Sequence, residues 1–198
     1  MMYQKLPNLV IGFHGCTKKV FDAVVLRGDQ MKSSNNEYDW LGNGIYFWEQ
    51  SYQRAKEWAE QNCKGQEPAV IGAVIDLGYC LNLTDSASSD ILRRGYLVLK
   101  NLCTLTGVKF PENRKPNAVG DILVRNLDCA VIEQVHDYNK ESHLPEYDSV
   151  RGVFWEGDSP YPGSCFKERT HVQICIRNPN CIKGVFRPRE KNEEYSIP

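Results

Sequence analysis

The sequence lacks any apolar stretch long enough to cross a membrane. Its longest near-continuous apolar run, Ala69–Ile75, is far shorter than the ~20 residues that a spanning helix needs. The residues before His14 do not form the apolar core of a secretory signal. Long polar tracts and low-complexity segments are also missing, which excludes collagen, coiled coil and wholesale disorder. We therefore expect a folded, cytoplasmic protein with no membrane partner.

The sequence also lacks an excess of either charge. Its 198 residues include 24 Lys and Arg against 25 Asp and Glu, so the formal net charge is −1. Such a balance excludes long-range attraction of the whole molecule to nucleic acid. Residues 166–198 nevertheless contain seven Lys and Arg against four Glu, a net charge of +3, which leaves −4 on the rest. The length suits one hydrophobic core, so residues 1–198 are expected to form a single domain.

The eight cysteines lack the spacing of a metal or disulfide motif. No two of them form a CxxC pair, and no histidine stands at zinc-finger spacing from two of them. Cys175 lies between Ile174 and Ile176, where a free thiol behaves as a small apolar side chain. The sequence therefore predicts reduced, structural thiols in a cytosol. A metal site and a redox role are the alternatives.

Apolar patterning and turn signals predict an α+β chain. Strands are expected at Val10–Phe13, Gly44–Trp48, Ala69–Leu77, Val150–Trp155, His171–Ile176 and Cys181–Phe186. Helices are expected from a cap at Thr17 to Gly28, after a cap at Ser51, over Asp85–Leu105 and over Ala118–Val135. The turn Asn178–Asn180 predicts that the last two strands pair as a hairpin. Two groups of strands around a helical middle are typical of the α+β class.

Two short motifs stand at the ends of the first two strands. The first strand ends in His14-Gly15 before a helix, and the second strand belongs to Leu41–Phe47, which contains Gly-Ile-Tyr-Phe. Each motif alone is ordinary, because structural histidines and strand aromatics are common. In this order they resemble the NAD-binding half of the ADP-ribosyltransferase superfamily. The resemblance is to the branch with the poly(ADP-ribose) polymerases and diphtheria toxin.

The resemblance implies a fold and an NAD site. The fold is two mostly antiparallel sheets packed face to face, with flanking helices and NAD in the cleft between them. His14 and Tyr46 match the first two positions of the family's motif, and Tyr46 would stack on the nicotinamide ring. Gly15 matches the glycine whose backbone pairs with the nicotinamide carboxamide, where a side chain would block close approach. The family places a second stacking aromatic one position away from Trp58, so Trp58 would be the second ring that sandwiches the nicotinamide. Packing of Trp58 in the core is the alternative.

The third position departs from the common pattern of the family. Gln173, at the start of Gln-Ile-Cys-Ile, stands where the family usually has glutamate, although some bacterial members are described with Glu, Asp or Gln. An anion there would stabilise the oxocarbenium character that develops as nicotinamide leaves. An amide offers only a dipole and a hydrogen bond to the ribose 2′-hydroxyl. We therefore expect slow or target-assisted transfer of a single ADP-ribose, without chain elongation.

His171 lies two residues before Gln173, so both side chains should face the same side of a strand. Related toxins place a residue that orients the target nucleophile at this offset. A histidine titrates near neutral pH and could position or deprotonate a nucleophile there. A structural histidine at the strand start is the alternative. Glu156 and Glu168 are reserve acids, expected as solvated surface charges.

The resemblance implies a mono-ADP-ribosyltransferase. NAD would be its substrate, nicotinamide would be released, and no metal would be needed. The resemblance further implies a bacterial toxin of a toxin–antitoxin or phage-defence system, with an antitoxin protein as partner. RNA, DNA and protein all serve as acceptors in the superfamily, and His171 with the basic final third favours nucleic acid slightly. An NAD- or ADP-ribose-binding module with weak catalysis and an NAD glycohydrolase are the alternatives.

Overall fold

The computed structural model describes residues 9–117 and 120–196, which form a mixed α+β fold. The strands are β1 Val10–Thr17, β2 Ile45–Glu49, β3 Pro68–Ile75, β4 Cys80–Asn82, β5 Asn113–Arg114, β6 Val124–Arg125, β7 Ser149–Phe154, β8 His171–Ile176 and β9 Ile182–Phe186. The helices are α1 Lys18–Phe21, which continues as a π-helical turn over Asp22–Leu26, α2 Tyr52–Asn62, α3 Ser88–Thr106 and α4 Asn126–Glu141. No helix of the described residues combines the length and apolar character needed to span a membrane.

Seven of the strands form one mixed sheet in the order β4-β7-β8-β2-β1-β3-β9, and β5 and β6 form a separate two-stranded ribbon. Neighbouring strands of the large sheet are antiparallel, except for the parallel pair β4 and β7. The family resemblance implies two packed sheets. The structure has one large sheet instead, because β2 pairs with β1 on one side and with β8 on the other.

The predicted hairpin of the last two strands is wrong. β8 lies between β2 and β7, so both of its edges are occupied, whereas β9 pairs with β3 at the far edge of the sheet. The turn between them is a 3-10 turn over Pro179–Cys181, which begins where the Asn178 side chain accepts a hydrogen bond from the Asn180 N–H. This turn therefore carries the chain away from β8 rather than back along it.

The sequence predicts the beginning and the end of the first helical segment correctly. Thr17 caps α1 by accepting a hydrogen bond from the Val20 N–H, as predicted. Gly28 follows the π-helical turn with a positive φ of 78°, a conformation that favours glycine. The second middle helix begins at Asn126 rather than at Ala118, because the β5–β6 ribbon precedes it. Residues 118 and 119 lie outside the described residues.

Both faces of the large sheet are covered. On one face, buried side chains of β2, β3 and β8 form a cluster that includes Ile45, Phe47, Ala73, Ile75, Ile174 and Ile176. On the other face, Ala55 of α2 packs against Trp48 and Val70. On that same face, Ile132 of α4 shares a buried cluster with Val150 of β7, and α3 packs against α4. The sheet and α2 together position the candidate site.

His136 of α4 is a buried histidine whose two ring nitrogens have no hydrogen-bond partner among the described residues. Its ring meets Tyr147 edge-on, with the ring centres 5.9 Å apart. Burial, together with the positive charge of Arg177, lowers the pKa of His136 from 6.5 to about 3. The folded protein therefore excludes a proton that the unfolded chain binds below pH 6.5.

We predict that this histidine makes the protein less stable in acid. As the pH falls from 6.5 towards 3, it should lower the free energy of unfolding by up to about 1.4 kcal/mol per pH unit. His136→Leu removes the titrating group and its two unpaired nitrogens, so it should stabilise the protein more at about pH 5 than at about pH 8. Urea denaturation of both proteins across this range measures the difference. Parallel pH profiles would contradict the prediction.

Candidate active site

β1 and β2 separate at the His14-Gly15 step. Their ladder contains the pairs Gly12–Glu49 and Phe13–Trp48 and ends there. β1 nevertheless stays paired with β3 as far as Thr17, and β2 stays paired with β8 from Trp48 back to Ile45. The separation leaves a gap between two neighbouring strands in the middle of the sheet. This gap is the candidate site.

His14 bridges the two separating strands. Its Nδ1 lies 2.8 Å from the carbonyl oxygen of Tyr46, so Nδ1–H donates a hydrogen bond to that oxygen. The half-buried ring lies beside Phe47, with the ring centres 5.9 Å apart. Burial lowers the pKa of His14 below 6.5, so the ring is neutral at pH 7. Donation from Nδ1 leaves Nε2 as a hydrogen-bond acceptor.

Gly15 is covered by α2. A Cβ atom at this position would lie 2.3 Å from the Ala55 carbonyl oxygen and 3.2 Å from Cε3 of Trp58. Only a glycine therefore allows α2 to lie this close to β1. Trp58 itself is 42% exposed, and its ring centre lies 5.9 Å from that of Trp48. The structure thus places Trp58 beside Gly15 at the surface rather than in the core.

Tyr46 holds the turn that leads into β2. Its hydroxyl donates to the Gly42 carbonyl oxygen at 2.6 Å and accepts from the Leu41 N–H at 2.8 Å. Burial raises the pKa of Tyr46 well above its usual value near 10, so the phenol stays protonated. The ring packs against a buried cluster that includes Cys175. Its hydroxyl is therefore a structural group, and the ring is the part left to face a ligand.

Gln173 and His171 lie on the same face of β8, as predicted. Gln173 pairs with Trp48 of β2 and with Gly152 of β7. Its Nε2 lies 3.1 Å from His171 Nε2, and His171 Nδ1 lies 2.7 Å from the Arg169 carbonyl oxygen. A neutral imidazole that donates from Nδ1 and accepts at Nε2 satisfies both contacts. Burial lowers the pKa of His171, which also favours the neutral ring.

The His171 side chain has no exposed surface, so it does not meet an incoming acceptor directly. Its contact with Gln173 fixes the orientation of the amide instead. Because Nε2–H of Gln173 donates to the histidine, Oε1 is the amide atom left to accept a hydrogen bond from a ligand. The structure thus places His171 as a buried partner that orients the Gln173 amide.

A buried ion pair lies next to His171. Nη2 of Arg54 on α2 lies 3.0 Å from Oε2 of Glu156, which follows β7, and this oxygen is 3.6 Å from His171 Nδ1. The side chains of Arg54 and Glu156 are each only 12% exposed. The prediction that Glu156 is a solvated surface charge is wrong, because Arg54 compensates its buried charge. Glu168 is exposed, as predicted.

Two buried N–H donors of this region have no hydrogen-bond partner among the described residues. They are Nε1 of Trp48 and Nε of Arg54. Trp48 of β2 pairs with Phe13 of β1 on one side and with Gln173 of β8 on the other, so it lies at the end of the gap between β1 and β2. Buried donors are normally hydrogen-bonded. Each of the two is therefore a position where an acceptor atom of a ligand would gain a hydrogen bond.

Comparisons with known protein families, with curated proteins and with solved structures find no match. Within the part of the chain that the structure describes, no group of His, Cys, Asp and Glu is arranged to hold a metal ion. The eight cysteines are free, and six of them are buried, in line with the predicted structural thiols. Function must therefore be inferred from the residues around the gap.

Proposed function

We propose that the protein is a mono-ADP-ribosyltransferase that cleaves NAD and transfers ADP-ribose to a macromolecule. The observation that carries this proposal is the separation of β1 and β2 at His14-Gly15. Around this gap, His14, Tyr46 and Gln173 stand on the neighbouring strands β1, β2 and β8. The resemblance to the ADP-ribosyltransferase superfamily assigns these three positions to NAD binding and cleavage.

The strand edge at Gly15 suits a carboxamide. Beyond Phe13 the ladder with β2 has ended, so the β1 backbone there can offer N–H and C=O groups to a ligand. The nicotinamide carboxamide carries the matching NH2 and carbonyl groups. Since α2 and Trp58 cover Gly15, NAD binding requires Trp58 to move aside, and its half-exposed ring can then stack on the nicotinamide.

Gln173 and His171 account for the chemical step. When the C1′–N1 bond of NAD breaks, the electron pair leaves with nicotinamide and positive charge develops on the ribose. Oε1 of Gln173, held outward by His171, accepts a hydrogen bond from the ribose 2′-hydroxyl and points its dipole at this charge. An acceptor nucleophile then bonds to C1′ and releases its proton to solvent water. The absence of a carboxylate at position 173 makes this step slow until the target is bound.

The acceptor in this proposal is a nucleic acid, RNA or DNA, in preference to a protein. The net charge of +3 on residues 166–198 supports it, because these residues include β8 and its site residues. Cytoplasmic action as a toxin, with an antitoxin protein as partner, belongs to the same proposal and rests on the resemblance alone. Neither NAD nor any acceptor requires a metal in this scheme.

A labelling experiment tests the proposed function. Purified protein is incubated with NAD labelled in its adenylate part and with whole-cell lysate, and the products are digested separately with protease, RNase and DNase. We expect label to enter a macromolecular fraction that RNase or DNase, but not protease, removes, together with release of nicotinamide. If no fraction gains label, the transferase proposal fails. Label removed only by protease would contradict the nucleic-acid acceptor.

A weakly catalytic NAD- or ADP-ribose-binding module is the second candidate. Two observations favour it: a neutral amide at Gln173, and a helix that lies over Gly15. Calorimetric binding of NAD without nicotinamide release, with or without lysate, would support this candidate. Nicotinamide release from NAD by the purified protein alone would instead support an NAD glycohydrolase activity of the same site.

A further inference from the structure

An open cavity of about 1080 Å³ lies between α1, the start of α2 and the segment that follows β9. Phe13, Tyr52 and Phe186 line it on the sheet side, and Arg187, Arg189 and Lys191 line it on the C-terminal side. We call this cavity the basic groove. It adjoins the candidate site, because Phe13 precedes His14 in β1 and pairs with Trp48 of β2.

The floor of the basic groove is aromatic. Phe13 meets Tyr52 edge-on, with ring centres 5.7 Å apart, and meets Phe186 edge-on at 6.5 Å. Tyr52, at the start of α2, is 43% exposed. Exposed rings in a cavity provide faces on which flat groups such as nucleobases stack.

The rim of the basic groove is positively charged. Four basic and two acidic residues line the cavity. Lys18 is paired with Asp22, and Lys191 is paired with Glu193. Arg187 and Arg189 are exposed and form no ion pair with any described residue. Their guanidinium groups are therefore available to phosphates, which arginine binds through paired hydrogen bonds.

We propose that the basic groove binds a single-stranded nucleic acid and presents it to the neighbouring gap as the acceptor. This inference rests on the proposed transferase function. Aromatic faces next to unpaired arginines are the combination that recognises single strands, because bases stack while phosphates are neutralised. A duplex keeps its bases stacked on each other and cannot use Tyr52 in this way. An acidic protein would use the arginines but would gain nothing from stacking.

Fluorescence anisotropy with the full-length protein tests the groove directly. The probes are fluorescein-labelled single-stranded DNA and RNA of about 20 nucleotides, and the corresponding duplexes, at salt concentrations from ~50 to ~200 mM and without NAD. We expect single strands to bind more tightly than duplexes, with affinity that falls as salt rises. The tighter of the two single strands shows whether the groove prefers RNA or DNA.

Charge reversal at the rim should weaken binding specifically. Arg187→Glu/Arg189→Glu is expected to reduce affinity by about tenfold or more and to lower the slope of log affinity against log salt by about 1.4, since each lost phosphate contact contributes ~0.7. The matched control Arg93→Glu/Arg94→Glu makes the same charge change on two exposed residues of α3 and should leave affinity within about twofold. Tyr52→Leu should weaken binding severalfold without changing the salt slope.

Three results would overturn the proposal: no binding of either single strand at the lowest salt, equal loss with both double variants, or equal affinity for duplex and single strand. Because binding is measured without NAD, these results are independent of the transferase activity. Nicotinamide release and protease-sensitive labelling together with absent oligonucleotide binding would reject the groove and keep the enzyme. Oligonucleotide binding with no labelling in lysate would reject the enzyme and keep the groove.

Discussion

Gly15→Ala is expected to destabilise the protein by about 3 kcal/mol and to abolish NAD cleavage. The new Cβ would lie 2.3 Å from the Ala55 carbonyl oxygen, so α2 has to shift or the strand has to bend. Overpacking of this kind typically costs about 1–3 kcal/mol, and more when the opposing atom is backbone. The forced shift of α2 or of the strand would also distort the neighbouring backbone edge of Gly15, where the proposed nicotinamide site lies. Urea denaturation and nicotinamide release measure the two effects.

Gly184→Ala is the matched control, because it makes the same substitution in another strand of the same sheet. Gly184 lies in β9, and a Cβ there would have nothing within 4 Å. We expect this variant to be neutral or more stable by about 0.5–1 kcal/mol, since alanine loses less backbone entropy than glycine. Its nicotinamide release should equal that of the wild type. Equal stability of Gly15→Ala and Gly184→Ala would show that the contact with α2 is wrong.

Tyr46→Leu is expected to reduce ADP-ribose transfer by at least about a hundredfold. Leucine keeps apolar bulk but offers no ring for stacking, and interactions that position a reacting group are worth several kcal/mol. Tyr46→Phe keeps the ring and loses only the hydroxyl, which serves Leu41 and Gly42 in the turn. That variant should lose about 1–3 kcal/mol of stability, because it leaves a buried N–H unpaired, yet keep most of its activity at low temperature.

Labelling of the lysate with each Tyr46 variant, at matched concentrations of folded protein, measures this difference. Circular dichroism and denaturation curves establish how much of each variant is folded. If Tyr46→Leu labels as well as the wild type, Tyr46 does not contact NAD and the transferase proposal loses its central residue. If Tyr46→Phe is as inactive as Tyr46→Leu, the hydroxyl rather than the ring is required.

The sequence predicted those parts of the fold that depend on near neighbours. The Thr17 cap and the Gly28 stop involve residues only a few positions apart. The limits of β8 were also found as predicted, because its apolar alternation is bounded by turn residues. Strand pairing is different, since it depends on residues far apart in the chain. The turn residues Asn178–Asn180 predict a hairpin, but β2 and β7 occupy both edges of β8.

The sequence predicts those site residues that belong to a motif. It does not predict those that the fold brings together from distant parts of the chain. His14, Tyr46 and Gln173 stand on adjoining strands, in agreement with the expectation from their motifs. Arg54 and Glu156 are 102 residues apart, and neither has a local pattern that marks it as a partner of the other. For Trp58 the sequence leaves ligand stacking and core packing as alternatives, and its side chain is half exposed.

The short ladder between β1 and β2 has a mechanical consequence. Eight residue pairs join β1 to β3 and four join β2 to β8, but only two join β1 to β2. The sheet is thus two well-paired leaves that meet along a narrow seam. Separating the leaves breaks few backbone hydrogen bonds, and each leaf keeps its own pairing. Side-chain packing therefore does most of the work of holding the leaves together, chiefly in the buried cluster that Phe47 of one leaf shares with Ala73 and Ile75 of the other.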